Sequence, residues 1–211
     1  MKKKLIYGML VAVMAAGCTG GTNDSEDMAK EANRDKLDSQ KMNNQTAQTT
    51  DDMMFTKSDA DFVVEAAAGG MTEVELGRLA RTKSERKEVR DFGALMVKDH
   101  TSAGIKLRSL AASKNITLPD SLPEEGRKDR SRLQLQQGND FDRGYINLMV
   151  NDHRKDVREF QKAALGAQDA NIRAFARNSL PMLYLHLDSI QSMQRRLGLR
   201  DSSVPPTMPY K

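Results

Sequence analysis

Four long stretches, 58–82, 84–114, 140–165 and 169–197, repeat apolar side chains every three or four positions, and nothing between them alternates as a strand would. A chain patterned this way hides its apolar stripes by laying helix against helix. The boundaries agree with the period. Ser58 or Asp59 is placed to cap the first stretch and Ser84 the second, while Asn115 and Gly198 stand where the second and fourth stop. The expectation is an all-α fold, a ferritin-like up-down four-helix bundle over 58–198. A short extra helix near 127–136 is expected in the proline-bearing connection (LPDSLPEEG) between the second and third helices.

The stripes are not wholly apolar. Placed at about 100° per residue, Glu73 lies within the stripe Phe62, Ala66, Gly69, Leu76, Gly77 and Ala80. Asp99 and His100 flank the centre of the second stripe, Asp152, His153 and Asp156 fall in or beside the third, and His186 lies in the fourth. The chain has only three histidines, and two of them close the echoed motifs MVKDH (96–100) and MVNDH (149–153). Glu73, His100, His153 and His186 each lie near the midpoint of their helix. Midpoints meet in an up-down bundle whichever way each helix runs, so one carboxylate and three imidazoles should share a layer of the core. Buried ionisable groups cost several kcal/mol each unless paired or bound to metal.

Three chemistries fit such a layer. Glu73, His100, His153 and His186 are candidate ligands for iron, manganese or zinc, with Asp99, Asp152 and Asp156 behind them. Di-iron carboxylate proteins carry Glu-x-x-His on two helices, and no such pair occurs here. Alternatively, Met96, Met149 and Met182 each precede a histidine by four residues, giving three same-face thioether–imidazole pairs suited to Cu(I). Methionine is also an ordinary core filler, and there are 13 of them. Under the third reading the aspartates and histidines pair across helices and fix the register. No nucleophile–base arrangement, phosphate loop or cysteine-based metal spacing occurs, so no catalytic residue is assigned.

The ends speak to location. MKKKLIYGMLVAVMAAGC has three lysines, an apolar run (5–16) too short to span a bilayer, and small residues before the only cysteine. This is the layout of a lipoprotein signal peptide (1–17) with Cys18 as the lipidation site, a membrane anchor. Thr19 after the cysteine favours the outer membrane, facing the periplasm. Removing Lys2, Lys3 and Lys4 from 33 basic residues leaves 30 against 29 acidic ones, a balance of +1. The basic character therefore belongs to the targeting segment and does not indicate a nucleic-acid partner. Residues 18–57 are polar and are expected to form a disordered tether about 35 Å in mean span. Residues 199–211 are expected to be a flexible tail.

The ordered series EVELGRLA, VRDFGALMVKDH, LRSLA, FDRGYINLMVNDH and LPMLYLHL resembles the domain-of-unknown-function 4142 family, bacterial envelope proteins with a ferritin-like fold. The resemblance covers about 58–197. It implies fold and location and no defined reaction. Together these readings describe a non-enzymatic envelope lipoprotein in stress response or metal homeostasis. The alternative is a redox or storage protein that binds a transition metal (Fe, Mn, Zn or Cu).

Overall fold

The structure, a computed structural model, describes residues 24–44 and 55–198. The expected signal peptide, Cys18 and the tail 199–211 lie outside those residues. Six helices and no strand occur among the described residues: α1 (Ser25–Asn44), α2 (Lys57–Lys83), α3 (Lys87–Ser113), α4 (Glu124–Leu135), α5 (Gly138–Gly166) and α6 (Ala170–Arg196). None is long and apolar enough to cross a membrane.

Polar contacts at both ends fix the heights of the long helices. Thr56 caps α2, accepting the N–H of Asp59 at 3.1 Å. The neighbour expected to cap there, Asp59, is buried, and its carboxylate accepts the N–H groups of Gln168 and Asp169 at 3.0 and 2.9 Å. Asp169 caps α6 in turn and pairs with Lys114 just past α3 at 2.5 Å. At the opposite end Ser84 closes α2 rather than opening α3, and its hydroxyl donates to Asp142 near the start of α5 at 2.5 Å. Gln194, late in α6, bonds Asn147 of α5 at 2.9 Å, and Arg196 pairs with Glu88, early in α3, at 3.0 Å. Thus α2 and α6 run one way and α3 and α5 the other, with midpoints level.

The packing follows from small residues on facing stripes. A Cβ built on Gly77 would lie 2.7 Å from the carbonyl oxygen of Gly93, and one on Gly93 would lie 2.7 Å from that of Gly77. The backbones of α2 and α3 therefore touch where only glycine fits. Above and below the polar layer lie two apolar sections. One includes Leu76, Phe92, Met96, Tyr145 and Met149; the other includes Phe62, Leu107, Phe160, Ile172 and Leu183.

Over residues 25–44 the expected disordered tether is corrected. Residues Ser25–Asn44 form α1, which buries Ala29, Asn33 and Leu37 to 2–3% exposure. The polar composition is real, but one narrow stripe at i, i+4, i+8 suffices when the docking face supplies hydrogen bonds. Asn33 donates to the carbonyl of Thr117 at 2.9 Å and accepts its N–H at 2.7 Å. Ser25 donates to the carbonyl of Ser121 at 2.8 Å, and Asp24 accepts the N–H of Glu124 at 2.9 Å. Helix α1 thereby straps the connection between α3 and α4.

A buried histidine cluster as candidate metal centre

Four helices each bring one ionisable side chain to the middle of the core. Glu73 (α2), His100 (α3), His153 (α5) and His186 (α6) are all buried, His153 completely. The three ring centroids stand 5.4–5.7 Å apart in each pairing. One nitrogen from each ring can be chosen so that all three lie within 4.8 Å of one another. Phe92 closes one side of the layer, its ring centroid 6.3 Å from those of His153 and His186.

Hydrogen bonds decide which nitrogens are free. His153 Nδ1 lies 3.0 Å from the Met149 carbonyl oxygen, which can only accept, so Nδ1 carries the proton and Nε2 is a bare lone pair. That Nε2 lies 3.3 Å from His186 Nδ1, and His186 Nε2 lies 3.0 Å from Asp99 Oδ2. A neutral His186 has one proton. It can serve His153 or the Asp99 carboxylate, but not both, so one junction sets two acceptors face to face. His153 Nε2 and His186 Nδ1 could hold a cation between them, which would resolve the conflict and leave the His186 proton to Asp99.

Glu73 sits on the far edges of two rings. Its Oε2 lies 2.7 Å from His100 Nδ1 and its Oε1 3.4 Å from His153 Nδ1. The carboxylate named from sequence as a ligand is thus placed to orient imidazoles from behind, as carboxylates do in carboxylate–histidine–metal arrays. Asp99 does the same for His186. His100 Nε2 is buried and has no hydrogen-bond partner.

Asp156 hydrogen-bonds Glu73, and Asp152 lies one turn away on α5, extending the carboxyl group outward toward Asp129 of α4. Tyr145, legible in the sequence only as an apolar-stripe residue, belongs here too. Its hydroxyl is buried without a hydrogen-bond partner, and its pKa is raised by burial and then by Glu73 and Asp152.

The methionines divide. Met96 and Met149 are fully buried in one apolar section, whereas Met182 packs, half-buried, against the other. The reason is direction: α6 runs opposite to α3 and α5, so four residues before its histidine lies on the other side of the layer.

Burial pushes both kinds of group toward neutrality. It raises Glu73 and Asp156 well above the usual carboxylate range, with Asp152 adding to the first and Glu73 to the second. Asp152 is pushed up to about 7 by burial, then by Asp156 and Asp129. Burial lowers His100 and His186, and it lowers His153 to about 3 with help from His100 and His186.

A carboxyl with a raised folded pKa stabilises the fold below its unfolded value, about 4, and that stability is lost as pH rises through the folded value. An imidazole with a lowered pKa acts oppositely. The unfolded chain takes up its proton first, so stability falls as pH drops below about 6.5. Above pH 6.5 only the carboxyls still act. The metal-free domain should therefore be less stable at pH 8 than at pH 7, by about 1.4 kcal/mol per pH unit for each carboxyl still exchanging its proton. Urea midpoints at the two pH values measure this, and a higher midpoint at pH 8 would contradict it.

Residues 43–193 match the family described as a domain of unknown function, DUF4142. No curated protein matches. The crystal structure of a DUF305 fragment from Deinococcus radiodurans is similar to this chain at 14% identity and a TM-score of 0.59, covering 67% of this chain and 98% of that one. A likeness at that identity concerns the fold alone. The family match takes in Glu73 and all three histidines of the layer, and the chain belongs to the DUF4142 family.

Proposed function

We propose that the protein is a lipid-anchored envelope lipoprotein whose ferritin-like helical domain holds one transition-metal ion among His100, His153 and His186. The observation that carries this reading is the proton count. Three buried imidazoles converge, one has an unpartnered nitrogen, and two face each other across 3.3 Å with one proton too few. A tetrahedral ion with bonds of about 2.0–2.1 Å sets its ligands about 3.3 Å apart, which matches the His153–His186 spacing. An all-imidazole donor set suits zinc, copper or iron. Glu73 and Asp99 supply the orienting carboxylates.

The anchor at Cys18, an outer-membrane location facing the periplasm, and a part in stress response or metal homeostasis complete the reading. They rest on the N-terminal layout and the family resemblance. A register-fixing role for the cluster is the second reading, favoured by the bonds that join α2 to α3 and α3 to α6 through Glu73–His100 and Asp99–His186.

Elemental analysis of full-length protein purified without a histidine tag should find about one transition-metal ion per chain. Uptake by metal-free protein should release about one proton: with Glu73 protonated, the Glu73–His100 pair holds two, and a ring bound through Nε2 keeps only the one that Nδ1 donates to Glu73, so affinity should tighten as pH rises. Protein that stays metal-free after dialysis against zinc, copper and iron salts would leave the register reading standing.

A further inference from the structure

A cavity of about 750 Å³ opens between α2, α3 and the 118–122 connection, and its inner wall includes Glu73, His100 and Asp156. Ligand pockets commonly enclose about 300–1,000 Å³. The side walls are apolar, with Ala67, Ala103, Leu107, Leu118, Phe160 and Phe175 among them. The rim is cationic. Arg78, Arg108, Arg127 and Arg130 stand there against two carboxylates, Glu75 and Asp120, a net charge of +2. Glu75 is shared between Arg130 at 2.6 Å and Arg78 at 3.6 Å, and Arg108 and Arg127 are exposed.

A sugar or nucleotide would leave its polar groups unpaired against such walls, and a cationic amphiphile would meet like charge at the rim. We propose that this cavity binds an amphiphilic anion: a carboxylate or phosphate head at the arginine rim and an apolar body against the aliphatic and aromatic walls. The mouth is held ready. Ser121, which lines it, and Glu124 three residues on are bonded by Ser25 and Asp24 through the strap formed by α1. The site stands without the metal ion.

The test is calorimetric titration of the metal-free full chain with dodecanoate, with dodecyltrimethylammonium as the charge-reversed control. Saturable one-to-one binding of dodecanoate is expected, and the cation should bind about tenfold more weakly or worse. Gly104 lines the cavity, and a Cβ there meets no atom within 4 Å. Gly104→Leu therefore fills the space while improving the helix. It should keep or raise the melting temperature and weaken dodecanoate about tenfold or more. Arg108→Glu combined with Arg127→Glu should weaken it about threefold or more.

Vesicles of phosphatidylglycerol, offered to a chain carrying Cys18→Ser so that no lipid anchor contributes, distinguish the source of the anion. Vesicle binding that Gly104→Leu abolishes identifies a lipid. Vesicle binding that it leaves alone, with dodecanoate lost, identifies a soluble acyl anion. Absent dodecanoate binding, equal binding of the cation, or full binding by Gly104→Leu would overturn the proposal.

Discussion

His153→Ala should leave the purified protein without metal, its content falling from the proposed one ion per chain to near zero, while circular dichroism still reports helix. The expectation follows from His153's place in the cluster. It is the fully buried imidazole whose Nε2 faces His186 and whose Nδ1 is fixed by the Met149 carbonyl. Removing it takes away one donor and the partner that orients a second. Glu73→Gln separates ligand from orienting group. With Glu73 behind the rings, affinity should fall about 10–100-fold and not vanish. Met149→Leu should keep the ion, because the proposed donors are imidazoles and the methionines fall on both sides of the layer. Metal retained by His153→Ala, with only a lowered melting temperature, would assign the cluster to register alone.

Gly77→Val is expected to destabilise the domain by about 3 kcal/mol or more. The added Cβ meets the Gly93 carbonyl oxygen at 2.7 Å, then Met96 Cβ at 3.1 Å. A backbone oxygen cannot rotate away, so α2 and α3 must separate along their whole contact. Gly104→Ala is the control. It sits in α3 with open space around its Cβ and should gain about 0.5–1 kcal/mol through helix propensity alone. Urea unfolding of both variants measures the difference. A Gly77→Val midpoint equal to wild type would show that the two backbones are farther apart than described.

The long helices and the shared height of the histidines were legible because both follow from local rules. A 3.6-residue period gives the face, and the midpoint of an antiparallel helix gives the level. Glu73, His100, His153 and His186 meet as that logic required. What the period does not carry is which edge of a ring points where. Glu73 lies on the right face, yet only the coordinates show it touching Nδ1 of His100 and His153 from outside. The split of the methionines was available in principle, since i−4 reverses its sense in an antiparallel neighbour.

Helix α1 was illegible for a different reason. Its stripe contains Ala29, Asn33 and Leu37, too little apolar area to predict burial, and its anchoring bonds reach residues 84 to 100 positions away, such as Thr117 and Glu124. Asp59 departs from its expected place because a carboxylate suited to cap its own helix can equally receive N–H groups from a distant turn, and Ser84 because its hydroxyl is engaged by Asp142. Asp59 receives the N–H groups of Gln168 and Asp169.

The strap has a mechanical consequence. Tension applied upstream of Ser25 reaches the folded domain through α1, and the first bonds to bear it are those of Asp24 and Ser25 to Glu124 and Ser121. These hold a loop and the first residue of the short α4, not the long helices, whose ends are tied by Asp59, Asp142 and Arg196. Under load the peripheral helix should peel away first and slacken the segment 115–124, leaving the imidazole layer intact beneath it.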